Sequence, residues 1–120
     1  MGEIVLQKSM DFSVRIVKLC NYLRENKNEY TLTNQLLRSG TSVGANLREA
    51  EYAQSKTDFI HKNSIALKEI SETEYWLELL YKTEYLTKEQ YDSIQTDCSE
   101  IAKILTAIVK KSKNCESNST

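Results

Sequence analysis

Between Tyr91 and Ile108 the apolar residues return on a fixed beat: Tyr91, Ile94, Cys98, Ile101, Leu105 and Ile108, at steps of three, four, three, four and three. Such steps fall on one face only if the segment is an α-helix. Just ahead, Thr87-Lys88-Glu89-Gln90 has the form of a capping box, in which the Thr hydroxyl and the Gln amide satisfy otherwise unpaired backbone N–H groups. Three further segments carry the same period. Phe12, Ile16, Leu19 and Leu23 predict a first helix over residues 9–25, with Ser9 as its N-cap. A second covers 32–54. Ile60, Leu67, Ile70, Leu77 and Tyr81 predict a third, opening at Ser55 with Asp58 as its capping partner and running to about Tyr85.

Nothing in the chain interrupts these segments. It has no proline and only three glycines, the residues that normally punctuate loops and sheets. The polar stretch 26–30 reads as a short connection. Short connections between long amphipathic helices make neighbours antiparallel, so the expected architecture is all-α, an antiparallel up-down four-helix bundle. At 120 residues the chain is expected to form one domain over 1–111, burying roughly two thirds of its unfolded surface. The polar segment 112–120 is expected to fray as a C-terminal tail.

The doubtful stretch is RSGTSVGANL, residues 38–47, which holds two of the three glycines. Glycine among Ser and Thr suggests a phosphate-cradling loop. However, Leu36, Gly40, Val43, Leu47 and Ala50 keep the steps four, three, four, three straight through it, and a loop has no reason to keep that register. A P-loop needs G-x-x-x-x-G-K-[ST], and the dinucleotide fingerprint needs G-x-G-x-x-G after a strand. Neither is present. Two interior glycines cost a helix about 1 kcal/mol each against alanine, so packing must compensate. Ser39, Ser42, Asn46, Ala50 and Ala53 make one shoulder of this helix small, and Gly44 does the same on the other. Neighbouring backbones are therefore expected to approach closely, and Gly44→Leu is expected to disrupt folding or assembly through overpacking.

The residues that carry chemistry are sparse. A di-iron bundle site needs two Glu-x-x-His motifs, and this chain has one histidine, His61, expected on a surface or interface. Cys20, Cys98 and Cys115 are far apart with no C-x-x-C, which fits reduced thiols in the cytoplasm. Cys20 and Cys98 fall on or beside apolar stripes and read as small core residues. No catalytic residue, cofactor, metal or small-molecule substrate is expected. No apolar run approaches the roughly 20 residues that span a bilayer, and the first ten residues lack a signal-peptide core.

Polar residues on the second and third helices form a second group. Asn46 and Glu49 stand three apart. Glu69, Glu72 and Glu74 follow on the third helix, with Glu74 on its apolar stripe. A carboxylate turned inward needs a partner, and Arg38, Arg48 and Asn46 are the available ones. With 16 basic and 17 acidic residues, a formal charge of −1, bulk charge offers nothing to nucleic acid. A nucleic-acid surface would have to gather Arg15, Lys18, Arg38, Arg48, Lys56 and Lys62 on one face, within one chain or across an oligomer. Tyr75 and Trp76 are adjacent and cannot both enter the core, so one is expected to be exposed or covered by another subunit.

The run 38–50, with Arg38, Ser39, Gly40, Thr41, Ser42, Gly44, Ala45, Asn46, Glu49 and Ala50, is followed by Ser55, Asp58, Phe59, Ala66, Glu72 and Glu74. These residues resemble the four-helix-bundle proteins encoded in intervening sequences of bacterial 23S ribosomal RNA genes, a family also labelled ribosomal. The accessory protein of diversity-generating retroelements is similar to it. The resemblance implies an antiparallel bundle that assembles with itself, with a ring-shaped pentamer as the expected form. It implies no enzymatic activity, and RNA, DNA or a nucleoprotein as partner. Arg38, Gly40, Gly44, Asn46, Glu49, Glu72 and Glu74 carry over as motif positions of structural weight. The alternative is an interaction or assembly module that binds no nucleic acid.

Overall fold

A computed structural model describes residues 2–118, with side chains described for residues 3–114. It contains four helices: α1 (Gly2–Lys27), α2 (Thr31–Glu51), α3 (Lys56–Lys82) and α4 (Lys88–Asn118). Each packs on the next in sequence. α1 and α4 close the ring of four, and they touch least. The result is an up-down bundle with extents of 53 × 22 × 22 Å. The inward stripes supply its core. Phe12, Ile16 and Leu23 meet Leu36 and Val43, then Ile70, Leu77 and Leu80, then Ile101 and Leu105, each 0–1 % exposed. Leu19 is only partly buried, and Cys20 takes the core position beside it.

The helix ends depart from the expected bounds for local reasons. α1 starts at Gly2, so Ser9 is no cap; it lies inside the helix, buried, with its hydroxyl donating back to Leu6 O at 2.9 Å. α1 stops at Lys27 because Asn28 adopts φ 53°, a left-handed conformation that asparagine tolerates better than most residues. α2 ends at Glu51, which leaves Ala53 in the connection rather than on the helical shoulder. α3 stops at Lys82 because Glu84 sits at φ 70°. There the N–H of Tyr85 reaches Leu80 O at 2.9 Å and that of Glu84 reaches Tyr81 O at 3.0 Å, which is the Schellman pattern. α4 does not end at Lys111 but continues to Asn118, so residues 112–118 are helical. The side chain of Cys115 lies outside the described residues.

Two of the expected caps form as anticipated. The Ser55 hydroxyl accepts from Asp58 N at 3.0 Å. Thr87 and Gln90 bond reciprocally, at 3.1 and 2.9 Å.

Candidate functional site

The glycine-bearing stretch is helical throughout, and neither glycine has a positive φ. Both face α1. A Cβ built on Gly40 would lie 2.9 Å from Ile16 Cγ2 and 3.0 Å from its Cγ1, so the Ile16 side chain packs directly against the Gly40 backbone. At Gly44 the nearest atoms are Ser13 Oγ at 3.3 Å and Ser9 O at 3.5 Å. Beyond them the surface opens into a groove between α1 and α2, lined by Met10, Ser13, Thr41, Gly44, Ala45 and Arg48. The opposite shoulder of α2 packs on α3. Ser39 and Thr73 are both fully buried, and their hydroxyls lie 2.9 Å apart. Thr73 also donates to Glu69 O at 2.8 Å.

Arg38 crosses from α2 to α3, where it pairs with Glu69 at 3.3 Å and with Glu72. The Glu72 carboxylate also accepts from Trp76 Nε1 at 2.9 Å. Trp76 is thereby fixed half-buried. Tyr75 is the exposed member of the pair, at 59 %, and meets Trp76 edge to face at 5.0 Å between ring centroids. Glu49 pairs with Lys62 at 2.9 Å, and that hydrogen bond holds the Lys62 ammonium above its ordinary pKa. Asn46 donates to Ser42 O, one turn back on its own helix, at 2.9 Å. Glu74 is half-buried and finds none of the expected partners. It faces α4, where Gln95 Nε2 donates to it at 2.8 Å.

The six cations are not gathered on one face within the chain. Arg15 turns to α4, bonding Asp97 at 2.6 Å and Ser93. Arg38 and Lys62 pair with acids along the α2–α3 seam. Lys18, Arg48 and Lys56 are exposed and make no ion pair among the described residues. Arg48 lies at the α1–α2 groove.

Cys20 and Cys98 are fully buried free thiols. Burial pushes the Cys20 thiol up to about 11 and raises that of Cys98 as well. Both are therefore poor nucleophiles at neutral pH. His61 is exposed. Among the described residues no three His, Cys, Asp or Glu side chains converge as a metal site, and no helix is long and apolar enough to cross a membrane.

Two features escaped the sequence reading. The first is Glu29, placed in the polar connection. Its carboxylate is buried and caps α2, accepting from Leu32 N at 2.8 Å, Thr33 N at 2.9 Å and the Thr33 hydroxyl at 2.8 Å. Burial alone would disfavour its charge, but these hydrogen bonds together outweigh it and hold the carboxyl below its ordinary pKa. The signal was a Glu two residues before the helix start, outside the usual capping template. The second is a stripe on the outer face of α1. Met10, Val14 and Val17, at steps of four and three, are 46, 45 and 42 % exposed. Its period was legible, but it adjoins the core stripe and was masked by it.

The family model for 23S rRNA-intervening sequence protein matches residues 3–107. No curated protein matches the chain. Among solved structures, it is similar to a protein of unknown function from the S23 ribosomal protein family of Bacteroides thetaiotaomicron. That crystal structure is 57 % identical, with a TM-score of 0.90, covering 91 % of this chain and 97 % of the other. With the family's pattern matched from α1 into α4, and the bundle reproduced by a close relative, this chain belongs to the 23S rRNA-intervening sequence protein family.

Proposed function

We propose that the protein is a non-enzymatic, cytoplasmic assembly module that associates with copies of itself through the α1–α2 face. The observation that carries this reading is the exposed stripe of Met10, Val14 and Val17 beside a groove floored by Gly44 and Ala45. An apolar ridge next to a groove of small residues suits a helix-on-helix contact, in which small side chains let a second backbone come close. When the ridge of one copy enters the groove of the next head to tail, the contact is heterologous, and it closes into a ring where the rotation between copies closes. A ring of five is the form implied by the family resemblance. The raised thiol pKa values and the isolated His61 support a role without covalent chemistry.

A second reading, as a nucleic-acid accessory, draws on Lys18 and Arg48. Lys18 follows Val14 by one turn, Arg48 edges the groove, and neither makes an ion pair among the described residues. A ring would repeat these cations around its circumference, which is the gathering that a phosphate backbone needs.

Sedimentation velocity tests the first reading. The wild type should run as one species well above the 13.8 kDa of a single chain. Val14→Glu should run as a monomer with unchanged helicity. A monomeric wild type at tens of micromolar removes the assembly reading. Titrating the same sample with single-stranded RNA at low salt decides the second, because absence of binding there leaves no electrostatic term to build on.

A further inference from the structure

A cavity of about 270 Å³ opens at the end of the bundle where α1 and α3 begin and α2 and α4 near their ends. Its wall is apolar: Val5, Leu47, Ala50 and Ile108 are each less than 10 % exposed, and Phe59 stands at the rim. The cavity exists because α2, at 21 residues, is the shortest helix and stops at Glu51. Ala50 is the last core side chain that α2 supplies, and Tyr52, which follows, is 78 % exposed and does not roof the space.

Three polar features distinguish this cavity from a packing void. Lys56 and Lys111 line it and make no ion pair among the described residues, against Glu51 as the one acidic lining residue. Lys56 is the first residue of α3, so the positive end of that helix lies at the same mouth. Asn63 also lines the cavity, although it is only 2 % exposed. Its amide nitrogen donates to Phe59 O at 2.9 Å, and its amide oxygen stays within reach of water in the cavity, since the one sealed-off unpartnered side-chain atom among the described residues is Gln95 Oε1. Cavities that stay dry are apolar throughout, whereas an amide oxygen and two ammonium groups along the lining make this one wet. At about 30 Å³ for each water-sized group, this space holds several waters that a ligand can displace.

We propose that the cavity binds a small amphiphilic carboxylate, with an unbranched chain of roughly eight carbons laid along Val5, Leu47, Ala50 and Ile108 and its headgroup at Lys56 and Lys111. The apolar wall takes the tail, as in most small-ligand sites. The excess of cations at the rim selects an anion over a neutral alcohol of the same length. Asn63 is the polar point inside, close enough to the tail to report its entry. This site does not rest on the assembly reading: its mouth lies at the bundle end, the ridge of Met10, Val14 and Val17 takes no part in it, and it shares only Leu6 with the α1–α2 groove.

The test is titration calorimetry of the full chain with sodium octanoate and with octan-1-ol at equal ionic strength, together with NMR of the Asn63 side-chain amide. Octanoate should bind and shift the Asn63 signal. Lys56→Gln combined with Lys111→Gln, both exposed positions, should weaken octanoate about tenfold, the effect of losing a charge-assisted contact, and leave octan-1-ol unchanged. No octanoate binding at millimolar concentration would mean that the cavity holds water only, and would overturn the proposal. Equal binding of acid and alcohol, indifferent to the lysine changes, would refute the anion selectivity. Binding that leaves Asn63 unmoved would place the ligand elsewhere and refute the site.

Discussion

Gly40 and Gly44 lie one turn apart on α2, and both look toward α1. At the first, an added methyl would collide with Ile16, which is itself fully buried. At the second, an added methyl would meet Ser13 and Ser9 at 3.3–3.5 Å, beside an open groove. One spacing thus serves two kinds of contact. Gly40 sets how near two helices of the same chain can lie. Gly44 leaves room on the outside, where Met10, Val14 and Val17 are uncovered. The inner side of α2 is sealed over its first half, by Glu29 on Thr33, by Cys20 Sγ near Thr33 O at 3.6 Å, and by Ser39 against Thr73. The outer side carries Thr41, Ala45 and Arg48 at an unfilled surface. A repeated glycine therefore does not mean a repeated role. What surrounds each one decides whether it governs folding or assembly.

The sharpest way to break this comparison is to fill the inner site. Gly40→Leu must displace Ile16 or push α1 and α2 apart, and closely packed interiors resist both. We expect a loss of about 3 kcal/mol in urea denaturation, despite the helix propensity gained by replacing glycine. A loss below about 1 kcal/mol would mean that Ile16 swings aside at little cost, and the distinction between the two glycines would collapse.

A smaller effect is expected where the sealed side begins. Glu29→Ala leaves the N–H groups of Leu32 and Thr33 without their acceptor and strips the buried Thr33 hydroxyl of its partner. Removing a cap of this kind costs about 1–2 kcal/mol. The pH dependence follows from the depressed carboxyl of Glu29. A group whose folded pKa lies below its unfolded value stabilises fully above the unfolded value, about 4.3 for glutamate. That contribution is lost as pH falls through the folded value. Thermal melts of wild type and variant should therefore differ most at neutral pH and converge in acid. A constant gap from pH 7 down to pH 2 would show that the charge of Glu29 takes no part in the cap.

These contrasts also mark what could be read from residues alone. The apolar steps on each helix located the core, because periodicity is imposed directly by helix geometry. Ser55 and Thr87 located two helix starts, because a hydroxyl at the N-cap acts on its own helix three residues on. Glu29 was not legible in this way. Its function depends on burial of its carboxylate, which only the packing of α1 against α2 provides. Glu74 was legible as a carboxylate on the apolar stripe of its helix, but its partner Gln95 comes from a helix that sequence proximity could not nominate. Of the six cations, Arg15, Arg38 and Lys62 are drawn off to Asp97, Glu69, Glu72 and Glu49, and that dispersal is a property of the tertiary arrangement. The groove at Gly44 and the cavity above Ala50 were out of reach for the same reason. Both arise where a helix has too little side chain or ends too soon, and an absence of atoms leaves no pattern in a sequence.

The gentlest perturbation of the fold is also the most informative about assembly. Gly44→Leu was expected from the sequence to disrupt folding or assembly by overpacking; Gly44 lines the groove between α1 and α2, where an added Cβ meets nothing nearer than Ser13 Oγ at 3.3 Å. At the fold level, a gain of about 0.8–1 kcal/mol in helix propensity works against mild crowding at Ser13, so melting of the dilute protein should move little in either direction. Sedimentation should respond strongly, because a leucine in the groove occupies the space that a neighbouring copy's ridge would fill. A folded monomer from this variant, beside an oligomeric wild type, would assign the two glycines to two separate tasks. If Gly44→Leu unfolds instead, the groove is closed in solution, and Gly44 belongs with Gly40 on the sealed side of the helix.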